Sequence, residues 1–213
     1  MNKNVTQWAD EIQQIAHEEG ESVSSDFIAI GLALIMVESA GDPEARRPRS
    51  QFYGLLQQGR YASLDLGWED RGRRTAERLH GNGVLAIRSW YQLLQRYASR
   101  WEYDGAPHHL TIAVLWKGGA GTARRIRDKI QREGVGIWEA CRWIETHPNR
   151  AWRIPNLTEY LRRTDRHHKA ALDWVREHEQ SPACVIEPMP TLDMSGGIAS
   201  MMASIFEIIR RQS

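Results

Sequence analysis

The sequence predicts an all-α fold, or an α fold with one small β element, and three observations predict it. Apolar residues recur at helical spacing along most of the chain. Only residues 42 to 68, rich in Pro, Arg, Gly and Tyr, lack that period. Glycine, proline and serine stand between the periodic stretches, where helices would stop and start.

Val5, Trp8, Ile12 and Ile15 mark a first amphipathic helix closed by Gly20. Ser24 or Ser25 caps a second, which carries Phe27 to Val37 as the most apolar run of the chain and ends at Glu38. Gly41-Asp42-Pro43 stops it. Residues 42 to 68 hold a short hairpin or a shaped loop around Gln57. Helical patterns resume over 70 to 79 and 84 to 101, separated by Gly81-Asn82-Gly83, and continue near 108 to 117, 120 to 132 and 136 to 146. Pro155 precedes the last long helix, Asn156 to Glu179. The pattern then breaks at Pro182, Pro188, Pro190 and Gly196-Gly197, which is linker chemistry. An apolar stripe of Ile198, Met201, Met202, Ile205 and Ile209 follows. The expected organisation is a domain over 1 to 180, a linker over 181 to 197 and an amphipathic helix over 198 to 213.

With 213 residues the chain is long enough for one domain with a sizeable core. Its 28 basic and 27 acidic side chains nearly cancel, so no strong global field favours nucleic acid. Cys141 and Cys184 follow neither a CxxC nor a zinc spacing; Cys141 reads as a small hydrophobe on a helix and Cys184 is left open. The pairs His108-His109 and His167-His168 would diverge by about 100° on a helix, poor geometry for a metal, so solvated side chains are expected. Arg124-Arg125-Ile126-Arg127 reads as a solvated helix face. Met1 to Trp8 lacks the apolar core of a signal peptide, and no run reaches membrane-spanning length. Most of the nine tryptophans lie at helical spacing and are assigned to the core, with Trp116 and Trp68 the candidates for lining a groove.

Glu38 is the candidate for chemistry. A run as apolar as 27 to 37 is buried all round as a helix, so its last side chain leaves the core where the chain turns away. A carboxylate there is partly desolvated and close to the negative end of a helix dipole, and both effects favour its protonated form. Such a group suits a general acid.

Downstream stand Gln51-Phe52-Tyr53-Gly54-Leu55-Leu56-Gln57, then Ala113-Val114-Leu115-Trp116-Lys117-Gly118-Gly119-Ala120-Gly121, then Ile154-Pro155-Asn156-Leu157-Thr158-Glu159-Tyr160-Leu161. With Glu38-Ser39 these segments, in this order and over residues 22 to 165, resemble the lytic transglycosylases of the soluble-lytic, goose-lysozyme-like family. That family has Glu-Ser ending a core helix, then Gly-Leu-Met-Gln, an Ala-Tyr-Asn-Ala-Gly-x-Gly turn and a late Tyr-Val. Two departures stand out. Trp116-Lys117 replaces Tyr-Asn, and Leu56 replaces Met, the latter a volume-conserving change.

The resemblance implies a lysozyme-like domain cleaving the MurNAc–GlcNAc linkage of peptidoglycan and leaving a 1,6-anhydro end. Glu38 would act first as acid, then as base. Ser39 would position Glu38 or the substrate, Gln57 would line the cleft beneath the sugar, and Tyr160 would hydrogen-bond near the Glu38 carboxyl. Trp116 and Lys117 would contact substrate, with Lys117 expected to point away from Glu38, toward acidic peptide stems or solvent. No cofactor or metal is implied. Of the nearby acids, Asp42 serves the turn before Pro43.

A goose-type lysozyme would instead need a second carboxylate, such as Asp65, Glu69 or Asp70. A non-catalytic virion structural or ejection component is the third reading. Without a signal peptide, the expectation is a bacteriophage enzyme made in the cytoplasm, carried on the virion and acting in the host periplasm or cell wall. The C-terminal stripe would meet a virion protein or a second copy; a membrane is the weakest option, with only Arg210 and Arg211 as cations there.

Overall fold

The computed structural model describes residues 1–20, 23–46, 52–59 and 78–179. Trp68, Cys184, the acids Asp65, Glu69 and Asp70, most of the helix expected over 70 to 79, and all of 181 to 213 lie outside the described residues.

The fold is all-α. Among the described residues, eight α-helices follow one another: α1 (Lys3–Thr6), α2 (Ala9–Glu18), α3 (Ser25–Ser39), α4 (Gly83–Arg96), α5 (Ala98–Trp101), α6 (His108–Glu133), α7 (Ile137–Glu145) and α8 (Leu157–Glu179), with a 3-10 turn over Arg150–Trp152 before the last. No strand forms among them. The described part of the irregular segment, 42–46 and 52–59, holds only isolated bridges, Arg46 to Tyr53 and Tyr53 to Gln58, so a shaped loop surrounds Gln57 there.

Helix α3 is the centre of the core. Ser24 accepts the Phe27 N–H (3.3 Å) and starts it. Ile28, Ile30, Leu32, Leu34 and Ile35 point in different directions around the helix, yet all are buried. Burial of each stabilises the fold by roughly 1.5–3 kcal/mol. Helices α1, α2 and α6 pack on α3, and α2 also packs on α4. Gly31 lets this happen, because a Cβ there would meet Ile12 Cδ1 at 2.7 Å and the Trp90 ring at 3.2 Å.

Two predicted helices are divided. The first breaks at Gln7–Trp8, because the Trp8 indole turns to donate to Gly41 O (3.2 Å). Its ring also covers Gly83, where any Cβ would collide with it. One side chain thereby joins the start of α2, the turn after α3 and the start of α4. The expected helix over 84 to 101 breaks at Tyr97. There the Trp101 indole N–H takes the Leu94 carbonyl (2.9 Å), which a continuing helix would have offered to residue 98.

Of the eight described tryptophans, Trp90 and Trp101 are fully buried. Trp8, Trp116, Trp138, Trp143 and Trp174 are half-buried against the core, and Trp152 is half-buried too, so the core assignment was too broad. Cys141 is buried on α7 with its thiol free, and burial pushes the thiol up to about 12. It is the small hydrophobe that its position predicts.

Candidate functional site

A cleft of about 420 Å³ opens where the end of α3, the loop at 52 to 59, α4 and the middle of α6 meet. Its lining includes Glu38, Phe52, Gln57, Gln58, Leu93, Tyr97, Trp116, Lys117 and Gly119. Each wall has a sequence cause.

Glu38 lies in the last turn of α3 and is half-buried, as the end of an apolar helix requires. Ala40 follows in the left-handed conformation (φ 56°) and turns the chain away. The Tyr160 hydroxyl donates to Glu38 Oε1 at 2.6 Å, across 122 positions of sequence. Tyr160 itself is 6% exposed, so its hydroxyl is delivered from within the protein. An O–H donated to a carboxylate stabilises the ionised form. It therefore opposes the desolvation that favours the protonated form. Arg163, one turn on in α8, donates to Val37 O (3.2 Å) and holds the two helix segments together.

Ser39 does not serve Glu38. Its hydroxyl donates to Ile35 O (3.3 Å) and accepts the Gly41 N–H (3.2 Å), closing the end of α3. Adjacent helix residues diverge by about 100°, so Ser39 faces away when Glu38 faces the cleft. Asp42 accepts the Glu44 N–H (2.8 Å) and serves the turn as expected.

Gln57 lines the cleft in the left-handed conformation (φ 47°). Its amide nitrogen donates to Ala45 O (2.8 Å) and Gly54 O (3.0 Å), which makes it the tie of the loop. Both partners are carbonyls, which fixes which end of the amide is nitrogen. The buried Oε1 then has no partner among the described residues. Strain and an unsatisfied acceptor together on one cleft wall are features that structures retain at working sites. Next to it Gln58 is 2% exposed, accepts the Ser89 hydroxyl (2.8 Å) and donates to Ala86 O (3.3 Å), riveting the loop to α4.

Trp116 and Lys117 sit where α6 breaks. Gly119 has φ 74° and ψ 172°, a conformation open only to glycine, so two helices meet there in a tight turn. The Trp116 indole donates to Leu56 O (3.2 Å), fixing its ring beside the loop. This bond joins the two departures, at Trp116 and Leu56, from the pattern that the sequence resembles. Lys117 is exposed, and its ammonium lies 5.2 Å from the centroid of the Tyr160 ring, the phenol that holds Glu38.

Sequence reasoning brought Glu38, Gln57, Trp116, Lys117 and Tyr160 to one place, and the structure does bring them together. It misplaced Ser39 and missed Phe52, Gln58, Leu93 and Tyr97. Phe52, 54% exposed and unsupported by any period, gave no signal except its place beside Gly54. Among the described residues, Glu38 is the one carboxylate and Lys117 the one cation in the lining, and no group of His, Cys, Asp and Glu could hold a metal.

Two histidines expected in solvent are elsewhere. His109 and His168 stack at 4.1 Å between ring centroids. His109 bonds to Asp165 (2.8 Å) and His168 to Asp26 (3.0 Å). Burial first, then the neighbouring His109, lowers the pKa of His168 despite Asp26 and Asp165. Arg124 is exposed as a solvated face requires, but Arg125 covers the Trp152 ring (4.3 Å) and Arg127 bonds to Asp128 and Ser99 O. No protein-family model matches the chain, and no curated protein matches it in sequence.

Proposed function

We propose that this protein is a peptidoglycan lytic transglycosylase, with Glu38 as its single acid and base. The observation that carries the reading is the 2.6 Å hydrogen bond from Tyr160 to Glu38 at the edge of an open cleft. Splitting a glycosidic bond requires a proton on the leaving oxygen and a base for the attacking hydroxyl. A lone carboxylate performs both steps when the nucleophile belongs to the substrate. Protonated Glu38 gives its proton to the glycosidic oxygen as the C1–O4 bond breaks. The resulting carboxylate, held by the Tyr160 hydroxyl, then accepts the proton of the carbon-6 hydroxyl as the O6–C1 bond closes. Proton count returns to its start, and no water is consumed.

The surroundings support this chemistry. Trp116 and Phe52 supply aromatic surface for sugar rings, and Trp116 is already immobilised by its bond to Leu56, so less order is lost on binding. Gln57 and Gln58 build a loop whose shape is set before substrate arrives.

The deciding experiment is mass analysis of products from purified peptidoglycan. Anhydro-muropeptides support the proposal. Reducing ends would mean hydrolysis, with a second carboxylate participating, and absence of products would mean a binding or assembly role.

A further inference from the structure

The cation in the cleft has no counter-ion among the described residues. The Lys117 side chain forms no salt bridge and no hydrogen bond among the described residues, and its ammonium faces the ring of Tyr160. Lys129, twelve residues on in the same α6, shows the usual arrangement, with Glu133 four residues further accepting from it at 2.6 Å. Lys117 instead ends the first half of α6, two residues before the Gly119 break, and its side chain folds along the phenol that touches Glu38. An ammonium is a compact, strongly hydrated charge with three donors, and a ring face satisfies none of those donors. Lys117 is exposed and lines the cleft, so those donors are open to an anionic group that enters it.

We infer that Lys117 is a specificity residue that binds a free carboxylate on the saccharide beside the scissile bond, so that the preferred substrate is glycan stripped of its peptide stems. This rests on the proposed glycosidic cleavage. In a wall glycan the sugar rings are neutral, and the acidic group nearest the cleaved bond is the lactyl carboxyl of MurNAc. When a stem is attached, that carboxyl is an amide and carries no charge. When the stem has been removed it is an anion, two ring carbons from the anomeric centre. Lys117 and Glu38 line the same cleft and both meet Tyr160, Lys117 at its ring and Glu38 at its hydroxyl. Carboxylates further along a stem hang from a flexible peptide that leaves the cleft, so they are less well matched to a charge held against Tyr160.

The test compares two substrates, stem-bearing strands and strands stripped by an amidase, using wild type, Lys117→Met and Lys117→Arg. Wild type should favour the stripped strands in kcat/KM by about tenfold or more, the scale of one charge-assisted hydrogen bond. Lys117→Met, of similar length and uncharged, should bring that ratio close to one, and Lys117→Arg should keep most of it. Binding of Glu38→Gln protein to both strands should show the same preference without turnover. A wild-type ratio near one, a preference for stem-bearing strands, or a ratio unaltered by Lys117→Met would each overturn the assignment. If wild type cleaves neither strand yet binds the stripped one better through Lys117, the cleavage reading fails and the carboxylate site stands. If it neither cleaves nor discriminates in binding, both fail.

Discussion

Replacing Tyr160 with Phe removes one oxygen and leaves the ring in place. The ring is buried, Lys117 still has its face to lie on, and the backbone carbonyl that accepts from Thr164 (3.1 Å) is untouched. What disappears is the 2.6 Å bond to Glu38 Oε1. A hydrogen bond to a charged group contributes about 1.5–3 kcal/mol, and the proposed step needs the carboxylate form only after the proton has left. The loss therefore falls mainly on the barrier, a decrease in kcat of roughly 10- to 150-fold. Glu38 is half-buried, so water can replace part of the bond, and folding stability should fall by no more than about 1 kcal/mol. A second readout follows from charge. Without its donor, the carboxyl holds its proton to higher pH, so the alkaline limb of the activity profile moves upward. The assay is release of anhydro-muropeptides across pH, with thermal unfolding as control. A folded Tyr160→Phe protein within threefold of wild type, with an unmoved alkaline limb, would refute the role given to this bond.

Glu38→Gln keeps the shape but cannot exchange the proton, and should lower cleavage by ~10²–10⁴-fold or more while the melting temperature holds; near-normal clearing of peptidoglycan by the folded variant would remove Glu38 as the acid. Ser39→Ala should cost about 0.5–1.5 kcal/mol in urea unfolding through the lost helix-end bonds and leave kcat close to wild type; a collapse of kcat with little change in stability would restore Ser39 to the site. Gly119→Ala should destabilise by about 1–3 kcal/mol, because φ 74° with ψ 172° excludes a Cβ; unchanged stability would show that α6 can pass the cleft without this break. The lowered pKa of His168 means that the unfolded chain binds more protons than the folded one below the unfolded value near 6.5. Stability should therefore fall as pH drops through that value and stay level above it, and His168→Gln should flatten that slope in melting temperatures taken between pH 5 and 8. An equal slope in the variant would assign the effect to other groups.

How much of this could be read in the chain differs by residue. Glu38 was legible because it ends the most apolar run of the chain, and Tyr160 because the segment around it belongs to the pattern the sequence resembles. Breaks at Trp8 and Tyr97 were not, since both depend on an indole N–H finding a carbonyl that only the assembled fold brings near. Periodicity continues through each break. The role of Ser39 came from the resemblance alone, while its bond back to Ile35 is the ordinary competition of a hydroxyl with helix backbone. Histidine pairing was misjudged because neighbours in sequence were considered together. The real pair, His109 and His168, joins the first turn of α6 to the middle of α8.

That pair bears on the site. Helix α8 meets α3 through side chains at both ends of α3: Tyr160 to Glu38 and Arg163 to Val37 at one end, and His168 to Asp26 at the other. Glu38 and Asp26 are separated by about 18 Å of helix, at 1.5 Å per residue. Two ties so far apart determine both position and rotation of α8, whereas one would act as a pivot. Another carboxylate fixes the start of α8, since Glu145 of α7 accepts both the Thr158 N–H (2.7 Å) and its hydroxyl (2.6 Å). The phenol on Glu38 is therefore held between a clamp at residue 158 and another at 168. A displacement of about 1 Å would lengthen a 2.6 Å bond beyond useful range, so the geometry of the acid depends on contacts well outside the cleft.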